Sequence, residues 1–248
     1  MSDGNIKKRT MKIVEKRHMT HNTFFMKVES DEDLPQAKVS FHVLVFDDRG
    51  QRKPYSPLYV SKRHIAFAIK VYPEGTLSTY LCNKSVNDTI TVSEAVQVRE
   101  NRLNEFRNVL MIAGGTGVTP MFQLLREHIL SGINATDFTL LFLNRTDKDV
   151  FLQSELETLK KKSNGKLQII HIFSQGTEFP DSQHISGTLT KDMLLTVIRS
   201  KMFEFVYICG PPSLYDSFSG RKKSKTEQGE LTGVLKEVGY TERNVYKF

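Results

Sequence analysis

The 248-residue sequence has only two cysteines, Cys82 and Cys209. Two thiols so far apart exclude a disulfide-stapled scaffold and suit free cysteines in a reducing compartment. No apolar stretch approaches the roughly 20 residues that a membrane span needs. The opening residues, Met1-Ser2-Asp3-Gly4-Asn5-Ile6-Lys7-Lys8-Arg9, carry neither an apolar h-region nor a cleavage site, so they do not read as a secretory signal. No arginine-rich stripe interleaved with aromatics appears, which argues against nucleic acid as a partner. No metal-ligand cluster and no pair of haem ligands stands out, so no metal site is expected.

What is present is ordinary for a folded protein. Hydrophobic residues make up 39% and charged residues 25%, which excludes a wholly disordered chain and a collagen. Lys and Arg outnumber Asp and Glu by 35 to 28, a net charge of +7. That balance favours an anionic partner, such as an acidic protein or lipid surface. The length suits one large domain or two, each with its own core.

The two halves have different rhythms. In the first, residues 39–46, 65–72 and 89–92 are short apolar runs. They are bounded by the turn residues Asp47-Asp48-Arg49-Gly50, Pro73-Glu74-Gly75 and Asn87-Asp88. This spacing predicts a small antiparallel barrel or sandwich. In the second half, Val109-Leu110-Met111-Ile112-Ala113 is wholly apolar, as in a strand buried on both faces. A helical stretch over 120–130, a strand over 139–143, a charged helix over 151–162 and strands over 167–173 and 205–208 follow. That alternation predicts a parallel sheet with helices on both faces. The boundary is expected between Val98 and Asn108, giving domains over residues 8–103 and 104–248.

Four short segments carry chemistry. Gly114-Gly115-Thr116-Gly117-Val118-Thr119-Pro120 lies between a buried strand and a helix. Glycines let the backbone approach a phosphate, and the amides of the next helix point at it. Pro120 suits the first helical turn. Alone, such a segment is equally a tight strand-to-helix turn. The second strand ends Asn144-Arg145, without the acid that usually holds a ribose 2′-OH. Cys209-Gly210-Pro211-Pro212 follows another buried strand, so both glycine turns should face one crevice; a buried structural cysteine is the plainer reading of Cys209. Lys53-Pro54-Tyr55-Ser56-Pro57 joins cationic, aromatic and hydroxyl groups able to hold a flavin nucleotide, or is a proline-capped edge strand. Gly75-Thr76-Leu77-Ser78 precedes a helix-like stretch over 79–81 and offers a second anion site, or an ordinary cap. The charge run Arg221-Lys222-Lys223-Ser224-Lys225-Thr226-Glu227-Gln228-Gly229 is a solvated loop or a contact for an anionic partner.

Together these motifs resemble the NADH–cytochrome b5 reductase family, within the wider ferredoxin–NADP reductase group. Lys-Pro-Tyr-Ser-Pro (53–57), Ile-Lys-Val-Tyr (69–72), Gly-Thr-Leu-Ser (75–78), Gly-Gly-Thr-Gly-Val-Thr-Pro-Met (114–121) and Cys-Gly-Pro-Pro (209–212) stand in the family's order. The Lys before Pro-Tyr and the short Tyr72-Pro73-Glu74-Gly75 loop are similar to the branch fused to a cytochrome b5 domain. The resemblance implies an N-terminal antiparallel FAD-binding β-barrel followed by a doubly wound parallel-sheet domain for NADH or NADPH. It implies that Lys53, Pro54, Tyr55 and Ser56 bind FAD, with Tyr55 and Ser56 touching the isoalloxazine and Ser56 near its N5 as a catalytic group. Lys70 and Tyr72 would line the ribityl region, and Gly75, Thr76, Leu77 and Ser78 would bind the FAD pyrophosphate. Gly115, Thr116, Gly117, Thr119 and Pro120 would receive the nicotinamide nucleotide. Cys209, Gly210 and Pro211 would flank its ring, with Cys209 as a second catalytic group. Ser174 replaces the family's NADH-selecting acid, which implies tolerance of NADPH.

The expected activity is therefore a flavoprotein reductase that passes single electrons to a haem protein, cytochrome b5 above all. The expected location is the cytoplasm, in association with the endoplasmic reticulum. Two alternatives stand beside it. One is a reductase for an iron–sulfur protein, a quinone or oxygen. The other is a non-catalytic binding module on a degenerate reductase fold. The departures Lys53 for Arg, Ser40-Phe41-His42 for Gly-Gln-His, and Ser93-Glu94-Ala95-Val96 for Gly-Pro-x-Gly motivate the second.

Overall fold

The structure, a computed structural model, describes residues 7–98, 105–132, 135–175, 184–224 and 227–248. The chain separates into two compact units, Met1–Asn101 and Arg102–Phe248. The expected junction between residues 103 and 104 lies outside the described residues.

The first unit is antiparallel, as its short alternating runs predict. Its strands are β1 (Lys8–His18), β2 (Thr23–Glu29), β3 (Phe41–Phe46), β4 (Arg52–Tyr55), β5 (Tyr59–Val60) and β6 (His64–Lys70). Helix α1 (Thr76–Asn83), β7 (Thr89–Ser93) and β8 (Val96–Gln97) complete it. The sheet order is β4-β3-β7-β1-β2-β6-β5, with β8 paired to β3. Strands from distant parts of this order share one core. Val43 and Val45 of β3 meet Phe24 and Met26 of β2, Phe67 and Ile69 of β6, and Leu77 and Leu81 of α1 in a single buried cluster. A flat sheet cannot bring β3 and β6 to the same cluster, so the sheet coils around that core as a half-barrel. Strand β1 enters it through Met11 and Ile13 alone, while Lys16 and Arg17 lay their cations on the Phe24 and Phe25 rings at 4.9 and 4.6 Å.

The second unit alternates strand and helix. It runs β9 (Asn108–Gly114), α2 (Val118–Leu130), β10 (Asp137–Asn144), α3 (Gln153–Lys162), β11 (Leu167–Phe173) and β12 (His184–Ser186). Then come α4 (Lys191–Ser200), β13 (Phe205–Cys209), α5 (Pro212–Phe218), α6 (Gly233–Glu237) and β14 (Val245–Lys247). All six strands are parallel, in the order β12-β11-β10-β9-β13-β14. Leu110 and Ile112 of β9 pack on one face against Leu194, Leu214 and Leu235 of α4, α5 and α6. On the other face His128 of α2 meets the Phe138 ring edge-on at 5.0 Å. Helices therefore cover both faces, and the all-apolar β9 is the strand such burial requires.

The order reverses between β9 and β13. Chain growth moves outward from β9 through β10, β11 and β12, then returns to β9's other side. Such a reversal leaves a crevice at the strands' carboxyl ends.

Candidate functional site

Both glycine turns of the second unit lie at that reversal. Gly114 and Gly115 lead from β9 through a single 3-10 turn, Gly115–Gly117, into α2. Gly115 has φ +52°, and a β-carbon there would meet nothing within 4 Å. Its glycine therefore answers a backbone need rather than a lack of room. Gly117 is the opposite case, because a β-carbon would overlap the Cys209 carbonyl. A β-carbon on Gly114 would fall 2.7 Å from Pro211 Cδ, and one on Gly210 would fall 2.7 Å from Leu214 Cδ2 and 3.1 Å from the Gly114 nitrogen. The two turns thus interlock, and three of the four glycines are dictated by their mutual approach. The Thr119 hydroxyl donates to the Thr116 carbonyl at 3.0 Å, and no side chain caps the first turn of α2. Thr116 and Gly115 are half-buried, and Pro120 is buried in that turn. The amides at the start of α2 meet no capping side chain, which suits an anion.

Cys209 ends β13. Burial pushes its thiol up to about 11, offset in part by the Tyr215 hydroxyl and the Lys222 ammonium. A thiol in that state is not a nucleophile at neutral pH. Tyr215, one turn into α5, donates from its hydroxyl to the Phe248 carbonyl at 3.0 Å and accepts from the Gly210 amide at 3.4 Å. Burial raises this phenol too, so it stays a donor. Tyr215 was not among the residues singled out from sequence, and Lys222 stood out only as part of the basic charge run, not as a neighbour of Cys209. The position of Tyr215 on the helix after Cys-Gly-Pro-Pro was the available signal.

Ser174 lies immediately beyond β11 and is exposed, as is Gln175. Their amides donate to the carbonyls of Asn144 and Arg145 at 3.1 and 2.8 Å. The segment therefore continues the pairing with β10 and leaves the Ser174 side chain in solvent.

In the first unit, β4 forms one end of the sheet, with Tyr55 opposite Val43. Lys53 and Pro54 are exposed, and Tyr55 and Ser56 are half-buried. The Tyr55 ring meets Phe67 edge-on at 6.2 Å, and burial, followed by the nearby Tyr72, pushes its phenol up to about 12. Lys70 closes β6 half-buried, while Tyr72 lies beyond the strand and is 51% exposed. Exposure of that ring leaves a face on which an aromatic ligand can stack.

Helix α1 begins at Thr76, earlier than the expected stretch over 79–81, because Gly75 closes a tight turn onto the Tyr72 carbonyl at 2.9 Å. A β-carbon on Gly75 would overlap Ser78 Oγ and crowd Tyr72 at 3.2 Å, so a larger residue there would have to displace the Ser78 hydroxyl. The Ser78 hydroxyl is buried and donates to the Gly75 carbonyl at 3.3 Å; Leu77 is buried in the core. Gly75 offers no side-chain cap and the first turn holds no acid, so the leading amides and the exposed Thr76 suit an anionic ligand. Among the described residues no group of metal ligands occurs, and no helix is long and apolar enough to cross a membrane.

Comparison with known proteins matches residues 111–219 to the family model of the oxidoreductase NAD-binding domain. The chain is 30% identical over 254 residues to an NADH-cytochrome b5 reductase 2 of Debaryomyces hansenii, covering 99% of this chain and 84% of that one. It is 34% identical over 208 residues to the protein of the same name from Coccidioides immitis, covering 82% of this chain and 63% of that one. Among solved structures, the cytochrome b5 reductase domain of Ulva prolifera nitrate reductase superposes with a TM-score of 0.78 at 22% identity, over 98% of this chain and 97% of that one. The CS-b5R domains of human Ncb5or superpose with a TM-score of 0.75 at 22% identity, over 99% and 70% of the two chains.

Proposed function

The chain belongs to the NADH–cytochrome b5 reductase family, and from that premise we propose that it takes hydride from NADH or NADPH onto FAD and passes single electrons to cytochrome b5. The observation that carries this reading is the interlocked pair of glycine turns at the reversal of the parallel sheet, where a nucleotide is expected to lie. The first unit supplies groups that fit FAD. Its helix α1 opens on a glycine cap without a side-chain partner or an acid, which suits a pyrophosphate. Tyr72, just before that helix, exposes its ring, and Lys53 on β4 is exposed as well. FAD, when bound, supplies the conversion between two-electron and one-electron chemistry.

The chain's own residues then have definite tasks. Tyr55, held by Phe67 and kept protonated, orients the flavin and donates a hydrogen bond. Ser56, the residue after β4, would offer its hydroxyl to the flavin near N5. Lys53 neutralises phosphate as a point charge, without the planar fork of an arginine. Gly115 to Pro120 seat the nucleotide's pyrophosphate, and Cys209, Gly210 and Pro211 border its nicotinamide. Cys209 acts there as a neutral, soft wall, because its thiol stays protonated. Ser174 and Gln175 offer hydrogen bonds where a carboxylate would repel a 2′-phosphate, so NADPH is accepted. The net positive charge suits an acidic haem protein, and a cytoplasmic site at the endoplasmic reticulum belongs to the same proposal.

Anaerobic titration of the purified protein tests this reading. A yellow protein that NADH and NADPH bleach, and that then reduces cytochrome b5 at a rate falling with ionic strength, is expected. A colourless protein that FAD cannot reconstitute would overturn it in favour of a binding module.

A further inference from the structure

Asn144 ends β10 and is 8% exposed, yet neither its side-chain nitrogen nor its side-chain oxygen finds a hydrogen-bond partner among the described residues. Buried polar groups are nearly always partnered, and an amide left without one is a cost to folding. Its place in the sheet suggests what it serves.

Alternate residues of β10 face opposite sides. Leu141 and Leu143 pack with the cluster of α4, α5 and α6. Phe138 meets His128 of α2, and Phe142 meets Phe151 edge-on at 6.2 Å, so Asn144 shares the face that α2 covers. The register sets Leu143 beside Gly114 and Asn144 beside Phe173. One residue further along, the neighbouring strands reach Gly115 on one side and Ser174 on the other. The orphaned amide therefore stands at the carboxyl edge of the sheet, flanked by the glycine turn that opens α2.

We propose that Asn144 is a nucleotide-binding residue whose side-chain amide pairs with an oxygen of the ribose–pyrophosphate segment. This rests on the reading of the second unit as a nicotinamide-nucleotide site. It adds a neutral contact at the strand end where an acid would otherwise hold a ribose. Such a group grips a hydroxyl or a phosphate oxygen without repelling either.

Calorimetric titration of the FAD-loaded protein with NAD+ and with ADP-ribose, paired with thermal melts in the absence of nucleotide, tests it. In Asn144→Leu the melting temperature should hold or rise, because an unpaired polar group is removed. Affinity for both ligands should fall about tenfold, as for loss of one good hydrogen bond to a charged or hydroxyl group. Asn144→Asp locates the contact. Recovery of binding relative to leucine assigns a ribose hydroxyl, and a further loss assigns a phosphate oxygen. Nucleotide affinity unchanged within about twofold in Asn144→Leu would overturn the inference, and a lowered melting temperature alongside it would assign the amide to a buried water instead. If the wild-type protein itself took up no NAD+, the nucleotide-site reading would fail and this inference with it.

Discussion

Gly117 lies so close to Cys209 that a β-carbon on the first would overlap the main-chain carbonyl oxygen of the second. Two segments distant in sequence are thereby locked at the point where the parallel sheet reverses. The same contact sets where the start of α2 stands relative to the end of β13. The packing of the second unit and the placing of its two glycine turns are joined at this one glycine.

Gly117→Ala should accordingly cost about 1–3 kcal/mol, the range for overpacking a tight interior. Gly115→Asn should cost less, because its φ of +52° suits asparagine and its β-carbon meets nothing within 4 Å. Denaturant titration of both variants checks this. Equal stability of Gly117→Ala and wild type would show that the two turns do not interlock.

Cys209 should resist alkylation at neutral pH. Its thiol is pushed up to about 11, first by burial, so its thiolate population near pH 7 is negligible. In a Cys82→Ser background, which removes the other thiol, iodoacetamide labelling should be slow at pH 7.5 and accelerate up to about pH 11. Labelling at the rate of a free cysteine would contradict this environment. Tyr215→Phe should slow it further, because the hydroxyl that lowers the thiol is lost.

How much of this was legible depended on whether a residue's reason was local. β9, β10 and α2 announced themselves through continuous or helically spaced apolar residues. β1 did not, because only Met11 and Ile13 of its length enter the core and its charged residues lie along aromatic rings instead. The glycine motifs were readable as turns before helices. Their cause was not, since Gly114, Gly117 and Gly210 answer to chain segments that local spacing cannot reveal. Asn144 was visible only as the residue where an acid was missing, and its unpartnered amide is a property of packing.

Lys247 offers a separate test. It is 2% exposed, and its ammonium donates to the carbonyls of Ser219, Arg221, Gly229 and Glu230 at 3.1, 3.4, 3.4 and 2.8 Å. Its own backbone is pinned by Gln228 through bonds of 2.7 and 3.0 Å. One cation thus ties β14 to both limbs of the basic loop that carries Lys222. Lys247→Met should lose about 1.5–3 kcal/mol, the worth of hydrogen bonds to a charged group, and should expose the loop to trypsin. Unchanged stability together with unchanged proteolysis would show that the ammonium does not hold the loop.

If the proposed tolerance of NADPH rests on Ser174, Ser174→Asp should make the nucleotide site NADH-selective. The exposed hydroxyl next to β11 can donate to a 2′-phosphate, whereas a carboxylate there repels it by direct charge. Turnover with NADPH should fall about tenfold or more, and NADH turnover should change by less than about threefold. Equal losses with both donors would place the 2′-oxygen elsewhere.

His128 should make the protein sensitive to mild acid. It is 4% exposed on α2, its Nε2 has no hydrogen-bond partner among the described residues, and burial, then the nearby Lys166, lowers its pKa. Above the ordinary histidine value of about 6.5 the ring is neutral in both folded and unfolded chains, and pH has no effect through it. As pH falls through that value the unfolded chain takes a proton that the folded chain refuses. The unfolded state then binds more protons, so stability declines until the lowered folded value is passed. His128→Leu keeps an apolar contact to Phe138 and removes the titration. Wild type should therefore lose more unfolding free energy than the variant between pH 7.5 and 5.5, measured by denaturant titration at each pH. Parallel losses would mean that the imidazole charges freely in the folded protein, which its burial between α2 and β10 forbids.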